Sequence, residues 1–139
     1  LTAEVVLGNS NMGLDISHDA FSGPYSAFNR FRQIVAKASG SSFPPHEDRS
    51  LDEDQYYPGD EVQPETRPGL WEFFKHSDCD GEISPELCGK LADEMEQLLP
   101  AIDALSDSGG RQGGYGTVAR RFIKGCREAA AANEPLEFC

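Results

Sequence analysis

Basic side chains are scarce in this 139-residue chain: 12 Lys and Arg face 24 Asp and Glu, for a net charge of −12 and a pI near 4.5. That balance argues against nucleic acid as a partner, because affinity for phosphate backbones comes from cationic side chains that neutralise them. No apolar run approaches the roughly 20 residues that span a bilayer, and no basic segment followed by an apolar one opens the sequence, so neither a membrane partner nor a secretory signal is expected. Histidine is limited to positions 18, 46 and 76. The four cysteines, at 79, 88, 126 and 139, include no pair spaced as in a zinc knuckle or a redox motif. Reduced thiols in a cytoplasmic protein are therefore expected, with Cys88 and Cys126 acting as small buried hydrophobes in helices.

What the sequence does contain is helical periodicity. In "SGPYSAFNRFRQIVAKASG", Ser22 or Gly23 is suited to cap a helix, Pro24 to open it and Gly40 to end it. Tyr25, Phe28, Phe31, Ile34, Val35 and Ala38 then make one apolar face, with Arg32 at its border. "GLWEFFKH" predicts a short helix that buries Leu70, Trp71, Phe73 and Phe74. "SPELCGKLADEMEQLLPAIDAL" predicts a longer one, kinked or restarted near Pro100. "SDSGGRQGG" reads as a connector, and "YGTVARRFIKGCREAAAAN" as the last helix, ended by Pro135. "LDIS" and "LEFC" both alternate apolar with polar, and neither is stable alone, so the two are expected to pair.

These elements add up to a mainly α domain. It is a compact bundle of about four helices, with a small two-stranded β ribbon joining the N- and C-terminal segments. The domain covers residues 12–139, and residues 1–11 read as an extension or a tag-like segment. Between about 41 and 68 lie five of the nine prolines and eight acidic residues, a composition that excludes regular structure. With Tyr56 and Tyr57 as anchors, this stretch is expected to be a surface loop.

The stretch "HSDCDGEISPEL", His76 to Leu87, has the outline of a calcium loop. Placing Gly81 at the sixth position puts Asp78 at the third, Asp80 at the fifth and Ile83 at the eighth. It also puts His76 first and Leu87 twelfth, where a hard cation needs oxygen ligands. A capped turn explains more: Asp78 and Asp80 accept from the backbone, Gly81 supplies conformational freedom, and Ser84 caps a helix opening with Pro85 and Glu86. His18 and Asp19 precede the first helix much as His76 and Asp78 precede the third. If both turns face one cleft, two imidazoles and two or three carboxylates converge. Such a set suits zinc, manganese or iron, or an anion at the helix N-termini.

Three blocks, "MGLDISHDAFSGPYSAFNRFR", "HSDCDGEISPE" and "NEPLEF", resemble a family of small bacterial and phage proteins without an assigned activity. The resemblance skips the proline-rich loop. It implies the block boundaries above and singles out His18, Asp19, His76 and Asp78. Relatives often carry Glu where this chain has Leu87, which weakens a metal role for the turn here.

Three functions are carried forward. The first is a non-catalytic protein holding a small anionic, nucleotide-derived ligand in a polar cleft. Tyr25, Arg30, Arg120 and Arg121 would join the two His–Asp turns and Asp80, because guanidinium grips phosphate in bidentate fashion. No metal or other cofactor is expected in that reading. The second is an acidic module whose residues 47–65 dock a basic protein partner. The third is a metal-dependent hydrolase built on His18, Asp19, His76 and Asp78.

Overall fold

The computed structural model describes residues 13–43, 58–105 and 114–139. The elements in chain order are β1 (Leu14–Ile16), β2 (Phe21–Gly23), α1 (Tyr25–Ala38), α2 (Pro68–Lys75), β3 (Glu82–Ile83), α3 (Pro85–Gln97), α4 (Leu99–Leu105), α5 (Gly114–Ala132) and β4 (Leu136–Glu137). The fold is mainly helical, with five helices among the described residues and short antiparallel strands at one side. The expectations for residues 1–12, for Tyr56 and Tyr57 and for most of the 106–114 connector lie outside the described residues.

The apolar periodicity is what the helices bury. Phe28, Phe31, Phe73 and Phe122 come from α1, α2 and α5 and are fully buried. The Phe73 ring centroid lies 5.9 Å from Phe28, 5.6 Å from Phe31 and 5.2 Å from Phe122, the spacing that aromatic pairs favour. Gly40 ends α1 with φ 86°, and Ser41 N–H donates to the Ala36 carbonyl, closing the helix. The predicted break near Pro100 occurs at Leu98, between α3 and α4.

Four details differ from the expectation. Ser22 and Gly23 belong to β2 and do not cap α1, whose N-cap is Pro24. Trp71 is only half-buried, with the Lys75 ammonium 5.5 Å from its ring, because a helix of eight residues turns one flank outward. Val62, inside the proline-rich stretch, is fully buried in the core. Arg32 is 3 % exposed, beneath aromatic rings: its guanidinium carbon lies 4.6 Å from the Phe28 centroid and 5.3 Å from that of Phe43. A flat, weakly hydrated cation tolerates such a place, and its Nη2 also donates to the Ser77 carbonyl at 3.3 Å.

The α2 N-terminus lacks a cap from its own neighbours. Glu94 of α3 supplies one from across the fold, accepting from Gly69 N–H at 3.1 Å and Leu70 N–H at 2.8 Å. Two otherwise orphaned donors are satisfied by one carboxylate at the positive helix end. Replacing Glu94 by alanine should lower stability by about 1–2 kcal/mol, read as a denaturation midpoint shift. An unchanged midpoint would show that the cap contributes nothing.

The ribbon is larger than expected. "LDIS" and "LEFC" do pair: Asp15 and Cys139 exchange backbone hydrogen bonds at 3.0 and 2.9 Å, and Ser17 N–H donates to the Glu137 carbonyl at 2.9 Å. Each also has a further partner, β2 beside β1 and β3 beside β4. A bridge between Ile16 and Phe138 joins the two pairs. Leu14, Ile16, Ile83, Leu136 and Phe138 point into the core, so the alternate residues form an outer face.

Candidate functional site

Ser17 to Ala20 form the turn between β1 and β2, closed by Ala20 N–H to the Ser17 carbonyl at 3.2 Å. His18 and Asp19 have φ of 58° and 57°, the left-handed pair of a type I′ hairpin turn. Glycine or asparagine is usual there, and each L side chain adds roughly 1 kcal/mol of strain. The strain is held by α5. Arg121 donates from Nε to the Asp19 carbonyl at 2.7 Å and from Nη2 to Asp19 Oδ1 at 2.6 Å. His18 Nε2 lies 3.1 Å from Glu134 Oε1. Gly125 lets the hairpin dock, since a Cβ there would stand 2.5 Å from the Ala20 Cβ.

The second turn is built around His76. Its ring is 8 % exposed, stacks on Phe138 at 4.2 Å, and sets Nδ1 2.7 Å from the Ser77 carbonyl and Nε2 3.2 Å from that of Glu82. Gly81, at φ 92°, turns the chain beside the imidazole, and Ser84 Oγ accepts from Leu87 N–H at 3.3 Å to cap α3. Thus the capped turn explains the stretch, with His76 as its internal brace. Asp78 is half-buried and Asp80 exposed.

The two turns meet through the strands: Phe138 bridges Ile16 and also donates its N–H to the Gly81 carbonyl at 2.9 Å. Their imidazoles do not share a ligand set. His18 faces Glu134, and His76 faces its own turn. Among the described residues no group of three or more His, Cys, Asp or Glu is arranged to hold a metal ion. The common cleft drawn from the two His–Asp pairs is therefore not formed as a metal-capable cluster, because each ring is engaged locally.

Of the arginines proposed for phosphate, Arg120 and Arg121 are likewise engaged. Arg120 grips Asp103 in bidentate fashion, Nη1 to Oδ1 at 2.9 Å and Nη2 to Oδ2 at 2.8 Å, joining α4 to α5. Arg127 binds Asp93 at 2.9 Å and also Glu96, both on α3. Arg30 is exposed on α1, and Tyr25 is half-buried against the core. The Arg120 guanidinium holds the Asp103 carboxyl below the usual carboxylate range. A depressed carboxyl contributes stability that is present above its unfolded pKa and lost as pH falls through the folded one. An NMR titration should therefore place Asp103 below ordinary aspartates, and Arg120→Gln should return it to the ordinary range. An unmoved midpoint in that variant would remove Arg120 as the cause.

With these cations engaged, the outer face of the strands is left acidic. Glu82 stands directly opposite Glu137 in the β3–β4 register, both exposed. Glu137 turns its carbonyl and N–H toward Ser17, so its pairing with Glu82 is the close, non-hydrogen-bonded kind. Asp15 shares this face and accepts from Ser22 Oγ at 2.7 Å. Among the described residues neither Glu82 nor Glu137 has a cationic partner. Sequence reasoning missed this face, although the alternation in "LDIS" and "LEFC" already put Asp15 and Glu137 on one side.

Comparison with family models, with curated proteins and with solved structures found no match. No helix among the described residues is long and apolar enough to cross a membrane.

Proposed function

We propose that the chain is a non-catalytic binding domain that docks a basic segment of a partner protein on the outer face of its strands, around Asp15, Glu82 and Glu137. The observation that carries this reading is the Glu82–Glu137 pair. Like charges directly opposite each other destabilise a sheet, and a local rule broken without compensation marks a functional position. A cationic partner relieves that repulsion on binding, and the net charge of −12 steers it inward. A cytoplasmic setting belongs to the proposal, supported by Cys88 and Cys126 as buried free thiols.

Glu137→Gln separates this role from a structural one. Stability should rise by about 0.5 kcal/mol as the repulsion is removed, while affinity for a lysine-rich peptide falls. Calorimetric binding beside a denaturation curve reads both, and a loss of stability together with unchanged affinity would contradict the reading.

A second reading, the anionic ligand, is favoured by the hairpin tip. The carboxylates on Arg121 and His18 belong to Asp19 and Glu134, which are 86 % and 61 % exposed at their side chains. A phosphate could displace either one and keep the charge-assisted bonds. Titration against a panel of nucleotides tests it, and a flat response throughout removes it.

A further inference from the structure

His76 is 8 % exposed, and both of its ring nitrogens face backbone carbonyl oxygens, Nδ1 that of Ser77 at 2.7 Å and Nε2 that of Glu82 at 3.2 Å. A carbonyl oxygen only accepts, so each contact needs a proton on the nitrogen that faces it. A neutral imidazole carries one such proton, and the imidazolium alone satisfies both contacts. The shorter contact assigns the retained proton to Nδ1, which makes Nε2 the nitrogen that titrates. Stripped of its proton, Nε2 would turn a lone pair on the Glu82 carbonyl. Gly81 closes that side of the ring, since a Cβ there would lie 3.3 Å from both Nε2 and Cε1.

We propose that His76 is a proton-operated latch on β3: the imidazolium fastens the turn to Glu82, and loss of the Nε2 proton releases it. The charged groups around the ring divide. Asp78 and Asp80 on its own turn, Glu82 on β3 and Glu137 on β4 favour the cation, and so does the Phe138 ring, whose centroid lies 4.2 Å from that of the imidazole. Arg32 of α1 opposes it, because its Nη2 shares the Ser77 carbonyl at 3.3 Å. Lys75, the residue before His76, holds its ammonium over Trp71 instead. Release of β3 spreads to β4, since Phe138 N–H donates to the Gly81 carbonyl at 2.9 Å. Any effect of the latch on docking at Glu82 and Glu137 rests on the reading proposed above, whereas the latch itself does not.

Long-range proton–nitrogen correlation spectra of the wild-type protein, started at about pH 5 and taken upward, read the ring directly. Both His76 nitrogens should carry protons at the start. Nε2 should lose its proton first, leaving the Nδ1–H tautomer that free histidine disfavours. Hydrogen exchange over the same range should show the protection factor of the Phe138 amide falling about tenfold as that proton leaves, the size expected when a hydrogen bond from a charged donor is lost. Combined His18→Gln and His46→Gln substitution should preserve both changes, and His76→Gln should abolish the pH dependence at Phe138. The wild-type spectra carry the test if a variant does not fold. A single ring proton at the start, two ring protons kept until the protein unfolds, an Nε2–H tautomer at the end, or Phe138 protection that ignores the titration each overturns the latch. No partner is present in these measurements, so a failed latch is distinct from a failed docking surface, which the peptide titrations read.

Discussion

Replacing Phe73 by alanine should lower the unfolding free energy by about 3–5 kcal/mol, a large part of the 5–15 kcal/mol typical of a whole domain. The ring is fully buried and stands among Phe28, Phe31, Phe74 and Phe122, so truncation removes contacts with both α1 and α5 at once. The Arg32 guanidinium, 5.7 Å from the same ring, loses part of its aromatic housing, which adds to the effect. Phe73→Leu keeps most of the volume and should lose less than half as much. Chemical denaturation of both variants checks the order, and an equal loss would show that volume is not what the position supplies.

The second large effect separates two glycines at different helix contacts, Gly69 where α2 meets α3 and Gly89 where α3 meets α5. A Cβ on Gly69 would stand 2.4 Å from Leu91 Cα and 2.5 Å from its nitrogen, where backbone cannot yield without moving α2 off α3. Alanine gains up to about 1 kcal/mol of helix propensity, but the displacement outweighs it and pulls Gly69 N–H away from Glu94. Gly69→Ala should therefore destabilise by roughly 2–3 kcal/mol. At Gly89 the same Cβ meets only Ala130 at 3.8 Å, an ordinary contact. There the propensity gain stands alone, and Gly89→Ala should stabilise by about 0.5–1 kcal/mol. Thermal denaturation of the pair reads opposite signs, and equal signs would refute the helix contact described.

The helices were legible because their apolar residues recur at three- and four-residue spacing over one or more turns, as in Tyr115, Val118, Phe122 and Cys126. Pro100 and Gly40 marked a break and an end for reasons carried by the residues themselves. Phe21–Gly23 and Glu82–Ile83 escaped because strands of three and two residues are too short to show alternation. The Glu94 cap escaped for a different reason: capping is read from neighbours in sequence, and its partners are 24 and 25 residues away. Distance in the chain also hid what became of the candidate site. Nothing around Arg121 announces that Asp19, 102 residues earlier, will occupy its guanidinium. His18 and His76 were conspicuous by residue type and by place, but type does not reveal that carbonyl oxygens of its own turn stand at both ring nitrogens of His76. Arg32 looked like the margin of a stripe, and only the packing of Phe28, Phe43 and Phe73 around it makes it part of the interior.

The central claim is that the outer strand face receives a basic partner, and NMR titration of the labelled protein with a lysine-rich peptide at low salt tests it most directly. Amide shifts should move first at Asp15, Glu82 and Glu137 and fade as salt screens the charges, and the combined Asp15→Asn, Glu82→Gln and Glu137→Gln variant should bind about tenfold more weakly. Shifts centred elsewhere on the molecule, or equal binding by that variant, would contradict the account.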